Sequence, residues 1–168
     1  MNPTATLSRE RQDLLATLDK HRGFLRQTLA GMSDQQIRLT STVSQLSLGS
    51  VVKHVTATET TWRKFIVKGA AAFEKMTPDA YMAEWTLVEG DTVESLLAAH
   101  AAAAAETDAL VCTVDLDSEH ALPVAPWFEP GASWSARRAL LHIIAEGAQH
   151  AGHADIIREA IDGAKTMG

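Results

Sequence analysis

Apolar residues recur at helical spacing in four segments of the chain, and this pattern constrains the fold more than any other feature of the sequence. The segments are residues 7–30, 47–68, 91–111 and 135–161. In the first, leucines recur every three or four positions and Gly31 fits a C-terminal stop. Because each segment carries an apolar stripe that needs a partner, we predict four long helices packed against one another.

The connections between these helices are long enough to cross over the bundle. Residues 40–47 favour an extended link, and residues 79–85 form a short amphipathic piece that predicts a helical turn inside a crossover. Residues 91–94 form a capping-box pattern that opens the third helix. The proline-rich residues 113–133 predict a loop, and no strand alternation is convincing. We therefore expect an all-α four-helix bundle with crossover connections, as one domain over residues 1–168.

Composition excludes several classes of function. Fifteen basic and twenty-one acidic residues give a net charge of −6, without the Lys/Arg block that nucleic-acid binding needs. No stretch is apolar enough to span a membrane, and the N-terminal residues lack a signal-peptide core. The one cysteine, Cys112, cannot form an internal disulfide. We expect a cytoplasmic protein without nucleic-acid or membrane partners.

The fourth helix carries a strip of side chains that commonly bind metal. At about 100° per residue, His142, Glu146, His150 and His153 fall within an arc of about 80°. Alanine and isoleucine residues flank the strip, so it should face other helices. Ionisable groups placed there need a compensating partner, and a divalent cation is the most economical one.

Three protein ligands and one open position are typical of a catalytic zinc site. Glu146 and His150, one turn apart, can reach the same ion. A third ligand must come from another helix, and His54, on the apolar side of the second helix, is the best candidate. His153 could replace Glu146 as a ligand, hydrogen-bond to a ligand, or act as a general base. His142 could hydrogen-bond to the Glu146 carboxylate.

Simpler interpretations exist for the same residues. A single histidine is more commonly a hydrogen-bonded core residue than a ligand, and a buried Glu146 could pair with an arginine such as Arg138. His100 lies among alanines and is interpreted as a packing residue. For Cys112, no nearby base is evident in the sequence, so we interpret it as a small buried hydrophobe.

Aromatic residues precede the fourth helix. Trp127, Phe128 and Trp134 lie in or just after the proline-rich stretch. Aromatic side chains beside a metal helix can wall a pocket or form a substrate lid. Trp127 and Trp134 are therefore candidates for binding a co-substrate.

Two sequence runs carry a family resemblance. The run Leu48-Gly49-Ser50-Val51-Val52-Lys53-His54-Val55 is followed by Glu59 and Trp62, and Trp134 leads into the fourth-helix strip described above. Together they resemble the DinB-like superfamily, and more narrowly its actinobacterial branch of mycothiol-dependent S-transferases. The resemblance covers the whole chain in the order of its elements, but its specific motifs cover only the second and fourth helices.

The resemblance implies an up-down-down-up bundle, commonly a homodimer, that binds a divalent metal. The ligands it implies are His54, Glu146 and His150, with zinc the first expectation and nickel, iron or manganese as alternatives. Many members have histidine where this chain has Glu146, whereas mycothiol-dependent maleylpyruvate isomerases are similar to this chain in having glutamate. His153 matches a position where a polar side chain is usual.

The implied activity is detoxification by thiol transfer. The metal lowers the pKa of mycothiol or a similar small thiol, and the thiolate then attacks an electrophile. Two alternatives stay open at this point: a metal-dependent hydrolase, and a stress-associated metal-binding bundle without catalysis.

Overall fold

The computed structural model describes residues 7–166, and its long helices follow the four predicted segments. The elements are α1 (Arg9–Leu29), a 3₁₀ helix (Gln36–Arg38), α2 (Leu48–Lys68), a second 3₁₀ helix (Gly69–Phe73), α3 (Pro78–Trp85), α4 (Val93–Thr113), β1 (Glu119–Ala121), β2 (Ser133–Ser135) and α5 (Ala136–Asp162). The predicted third and fourth helices are α4 and α5. Within residues 7–166, none of the helices has the length and apolar character required to cross a membrane.

Each long helix begins at a serine or threonine whose side chain caps the first turn. In α2 the cap is reciprocal between Ser47 and Ser50, and in α4 between Thr92 and Ser95. The capping box was predicted at residues 91–94 but lies at residues 92–95, so the prediction was wrong by one position. Asp91 instead pairs with Lys53 of α2 at 2.7 Å, which ties the start of α4 to α2.

Two apolar clusters show how the four long helices run. The first cluster joins the N-terminal halves of α1 and α5 to the C-terminal halves of α2 and α4, and the second joins the opposite halves. Helices α1 and α5 therefore run in one direction and α2 and α4 in the other, which is an up-down-down-up bundle. Helix α5 packs against both α1 and α2. The predicted strip of α5 lies between the two apolar clusters, where the side chains are polar.

A short β-hairpin precedes α5, and the sequence prediction of a loop without strands was wrong there. β1 and β2 pair antiparallel, with His120 opposite Trp134. Strands of three residues are too short to show the alternation that identifies a strand in a sequence. The hairpin is held against α2, because the His120 ring lies 5.9 Å from that of Phe65. Trp134 is thus fixed immediately before α5.

The bundle interior contains a charged network that joins α1, α2 and α4. Arg22 pairs with Glu59, and both side chains are almost fully buried, while Asp108 binds the same guanidinium at 2.8 Å. His100 is also buried, as predicted for a packing residue, and its Nδ1 lies 3.3 Å from the hydroxyl of Thr56. Cys112, in contrast, is exposed, so the interpretation of it as a buried hydrophobe was wrong.

His100 should make the protein less stable in mild acid. Burial lowers the pKa of its imidazole; the charge of Glu59 opposes this shift, and Arg22 and Arg26 add to it. In the unfolded chain the pKa is about 6.5. The unfolded state therefore binds more protons below that pH, and the free energy of unfolding should fall as the pH drops from about 6.5.

Urea unfolding between about pH 7.5 and pH 5 tests this expectation. A His100→Gln variant should lose less stability over this interval than the wild type, while Gln35→Ala, a change at an exposed position without a titratable group, should keep the wild-type slope. If the free energy of unfolding falls equally with pH in the wild type and in His100→Gln, the expectation is contradicted.

Candidate metal centre

Helices α2 and α5 bring together three of the predicted ligands. Each of His54, Glu146 and His150 offers one ligand atom, and these atoms all lie within 4.8 Å of one another. Oε2 of Glu146 is 3.5 Å from Nε2 of His150 and 4.0 Å from Nε2 of His54. The one-turn spacing on α5 directs its two side chains toward α2, where His54 is the seventh residue of the helix.

The Glu146 carboxylate is held in its charged form. The side chains of His54 and His150 are buried and that of Glu146 is 25 % exposed. A hydrogen bond from His150 holds the pKa of Glu146 below its usual range; burial opposes this shift, and nearby imidazoles support it. Because a carboxylate must be ionised to bind a metal, Glu146 is in the state that coordination requires.

The three side chains fit a tetrahedral divalent ion. Zinc binds imidazole nitrogen and carboxylate oxygen at about 2.0–2.1 Å, which separates neighbouring ligand atoms by about 3.4 Å. The two distances measured from Glu146, 3.5 and 4.0 Å, are near this value, and all three ligand atoms lie within 4.8 Å of one another, so the set must contract slightly to hold one ion. Two imidazoles and one carboxylate would leave a fourth position open, as in catalytic zinc sites.

His153 and His142 contact the ligands from outside the set. Nδ1 of His153 lies 3.2 Å from Nδ1 of His150, on the side of that ring away from Glu146. Nε2 of His142 is 3.7 Å from Oε1 of Glu146, too far for a hydrogen bond. The ligand role considered for His153 stays a prediction that this placement does not support. Its alternative, a hydrogen bond to a ligand, matches the geometry.

The two candidate tryptophans lie in different environments. Trp134 stacks on Trp62 with ring centroids 4.7 Å apart and lies 5.2 Å from the ring of His142. The guanidinium of Arg138 is 4.2 Å above Trp134, and within residues 7–166 Glu146 pairs with histidines only, so the alternative pairing of Arg138 with Glu146 was wrong. Trp127 is 76 % exposed. Trp134 thus borders the site, whereas the co-substrate role of both tryptophans stays a prediction.

Sequence reasoning missed the contribution of α3. Trp85 stacks on the His54 ring at 3.7 Å, and the Tyr81 ring meets the same imidazole at 6.1 Å. Oε2 of Glu84 lies 3.5 Å from Nδ1 of His54. These three residues recur at positions i, i+3 and i+4, which places them on one face of a helix. That spacing was the available signal, but nothing in the sequence showed which helix the face would meet.

Comparison with known proteins identifies the family. A family model described as mycothiol-S-transferase matches residues 13–163. The chain belongs to the mycothiol S-transferase family. The resemblance stated from the second and fourth helices is therefore confirmed. No match is found among curated proteins.

A solved structure is similar to the fold. It is described as a conserved protein of a locus from Enterococcus faecalis, with a TM-score of 0.67 at 17 % identity over 91 % of this chain and 97 % of that chain. At this identity the likeness concerns the fold alone, and it agrees with the all-α DinB-like bundle.

Proposed function

We propose that this protein is a metal-dependent S-transferase that joins mycothiol, or a similar small thiol, to an electrophile. The observation that carries the proposal is the convergence of His54, Glu146 and His150 in a member of the mycothiol S-transferase family. Three protein ligands would leave one position for the thiol. A closed site with four protein ligands would instead suit a structural role.

The metal that these residues would hold, with zinc the first candidate, supplies a positive charge that lowers the pKa of a thiol. The carboxylate of Glu146 neutralises only part of a divalent charge, and neutral imidazoles neutralise none. The residual charge favours thiolate, which is the reactive form. In the reaction, the thiol sulfur loses its proton and its electron pair forms a bond to the electrophilic atom, while the bond from that atom to its leaving group, such as a halide, breaks and the halide departs as an anion. We propose His153, which is half-buried and contacts His150, as the group that moves a proton near the site.

A thiol panel tests this function. The metal-loaded protein is incubated with a generic aromatic halide and, separately, with mycothiol, bacillithiol and glutathione. We expect thiol conjugate and released halide to form faster than in the protein-free control, and fastest with mycothiol. Absence of thiol-dependent conjugation with all three would favour a non-catalytic metal-binding bundle. Ester hydrolysis without thiol would favour the hydrolase.

A homodimer, implied by the resemblance, stays a prediction.

His153→Ala should weaken metal binding without abolishing it. Loss of a residue that orients a ligand typically costs about 10–100-fold in metal affinity, and the contact with His150 is of this kind. We therefore expect stoichiometric metal at saturation but a raised dissociation constant, measured by competition with a chelator. Gln149→Ala, an exposed change on the same helix, is the control. An affinity equal to that of the wild type would contradict the supporting role.

A further inference from the structure

We propose that Glu84 is the positioning residue for His54: its carboxylate accepts the Nδ1–H of the ring and so directs Nε2 toward Glu146 and His150. This inference rests on the metal centre of the proposed function. It gives a role to α3, which the sequence indicated only as a helical turn in a crossover.

The two edges of the His54 ring face different groups. On one edge, Nε2 lies 3.3 Å from the hydroxyl of Thr58 and 4.0 Å from the carboxylate of Glu146. On the other edge, Nδ1 is buried and has no hydrogen-bond partner among residues 7–166. An N–H left unpaired in this environment is costly. Oε2 of Glu84, 3.5 Å away, offers the acceptor that Nδ1 lacks.

Metal binding would fix which nitrogen carries the proton. A metal at Nε2 of His54 uses the lone pair of that nitrogen, so the ring proton must lie on Nδ1. Histidine ligands generally donate this second N–H to a carboxylate or carbonyl, which fixes the ring orientation. A movement of about 0.5 Å would bring the Glu84 carboxylate to ordinary hydrogen-bond distance.

The surroundings of α3 keep the carboxylate beside the ring. Trp85, the next residue after Glu84, stacks on His54 with an angle of 14° between the ring planes. Lys53, the residue before His54, donates to the carbonyl of Thr86 at 2.8 Å. The C-terminal end of α3, directly after Glu84, is thus fastened to α2 by two contacts. An acidic side chain at this position therefore meets the imidazole without a large rearrangement.

Zinc affinity tests the inference with zinc alone as the probe. Glu84→Ala should bind zinc about 10–100-fold more weakly than the wild type in competition with a chromophoric chelator. Glu84→Gln keeps a carbonyl oxygen that can accept the Nδ1–H, so it should recover most of the affinity. Asp79→Ala removes an exposed carboxylate from the same helix and should leave the affinity unchanged.

Imidazole nitrogen NMR of the zinc-loaded wild type supplies a second readout. We expect a protonated Nδ1 on His54 whose signal moves downfield through the hydrogen bond and returns upfield in Glu84→Ala. Zinc affinity within threefold of the wild type in Glu84→Ala, or equal losses in the Ala and Gln variants, would overturn the positioning role. If the Glu84 variants show the expected zinc affinities but no thiol conjugation occurs, the positioning role is supported and the transferase function is rejected. A wild-type protein that binds no zinc would reject both.

Discussion

The His54→Ala variant should lose its metal, with a fall in affinity greater than the roughly 10–100-fold typical when only a residue supporting a ligand is lost. His54 is the only one of the three candidate ligands that comes from α2. Without it, Glu146 and His150 would hold the ion from a single helix turn. His150→Ala should have a comparable effect, and both variants should lose thiol conjugation.

Elemental analysis after exhaustive dialysis measures this loss. The wild type should retain about one metal ion per chain, and both variants should retain far less. His120→Ala is the matched control, because His120 lies in β1 and packs on Phe65 instead of the metal centre. Stoichiometric metal in both His54→Ala and His150→Ala would show that the ion binds elsewhere.

The Glu59→Ala variant should destabilise the fold by about 3–5 kcal/mol. Its partner, Arg22, has a side chain only 5 % exposed, and the carboxylate of Glu59 is only 2 % exposed. Removal of Glu59 leaves a guanidinium inside the bundle with Asp108 as its remaining carboxylate partner in the network described above. Because Asp108 is 44 % exposed and keeps part of the pairing, we expect the lower end of this range.

Urea unfolding at neutral pH gives the change in the free energy of unfolding. The matched control is Glu159→Ala, which breaks the pair of Glu159 with Lys165, whose side chains are 51 % and 48 % exposed. Exposed pairs typically contribute about 0–1 kcal/mol, so the control should stay close to the wild type. Equal small losses in the two variants would contradict a stabilising role for the buried pair.

Local rules were enough to predict which three side chains form the main part of the candidate metal centre. The 3.6-residue period places Glu146 and His150 on one face of α5, and the apolar stripe of α2 turns His54 inward. Because both helices must bury their apolar faces, we expect these side chains to lie close together. The direction of the four helices also followed, since the family resemblance implied it and the clusters of the core confirm it.

The remaining features depend on tertiary contacts that no local pattern encodes. Whether α3 folds back over His54 is decided by contacts such as those of Lys53 with Asp91 and with the carbonyl of Thr86. The resemblance included Glu59. Its pairing with Arg22, however, depends on how α1 is oriented about its own axis relative to α2. The hairpin beside Trp134 is set by its packing on α2 and has strands too short to recognise.

Anomalous diffraction at the metal edge, from crystals of the metal-loaded protein soaked in mycothiol, tests the central claim most directly. We expect one metal peak within bonding distance of His54, Glu146 and His150, with the sulfur of the thiol at the fourth position. A metal closed by four protein ligands, including His153, or a peak away from these three side chains, would contradict the proposed thiol-activating centre.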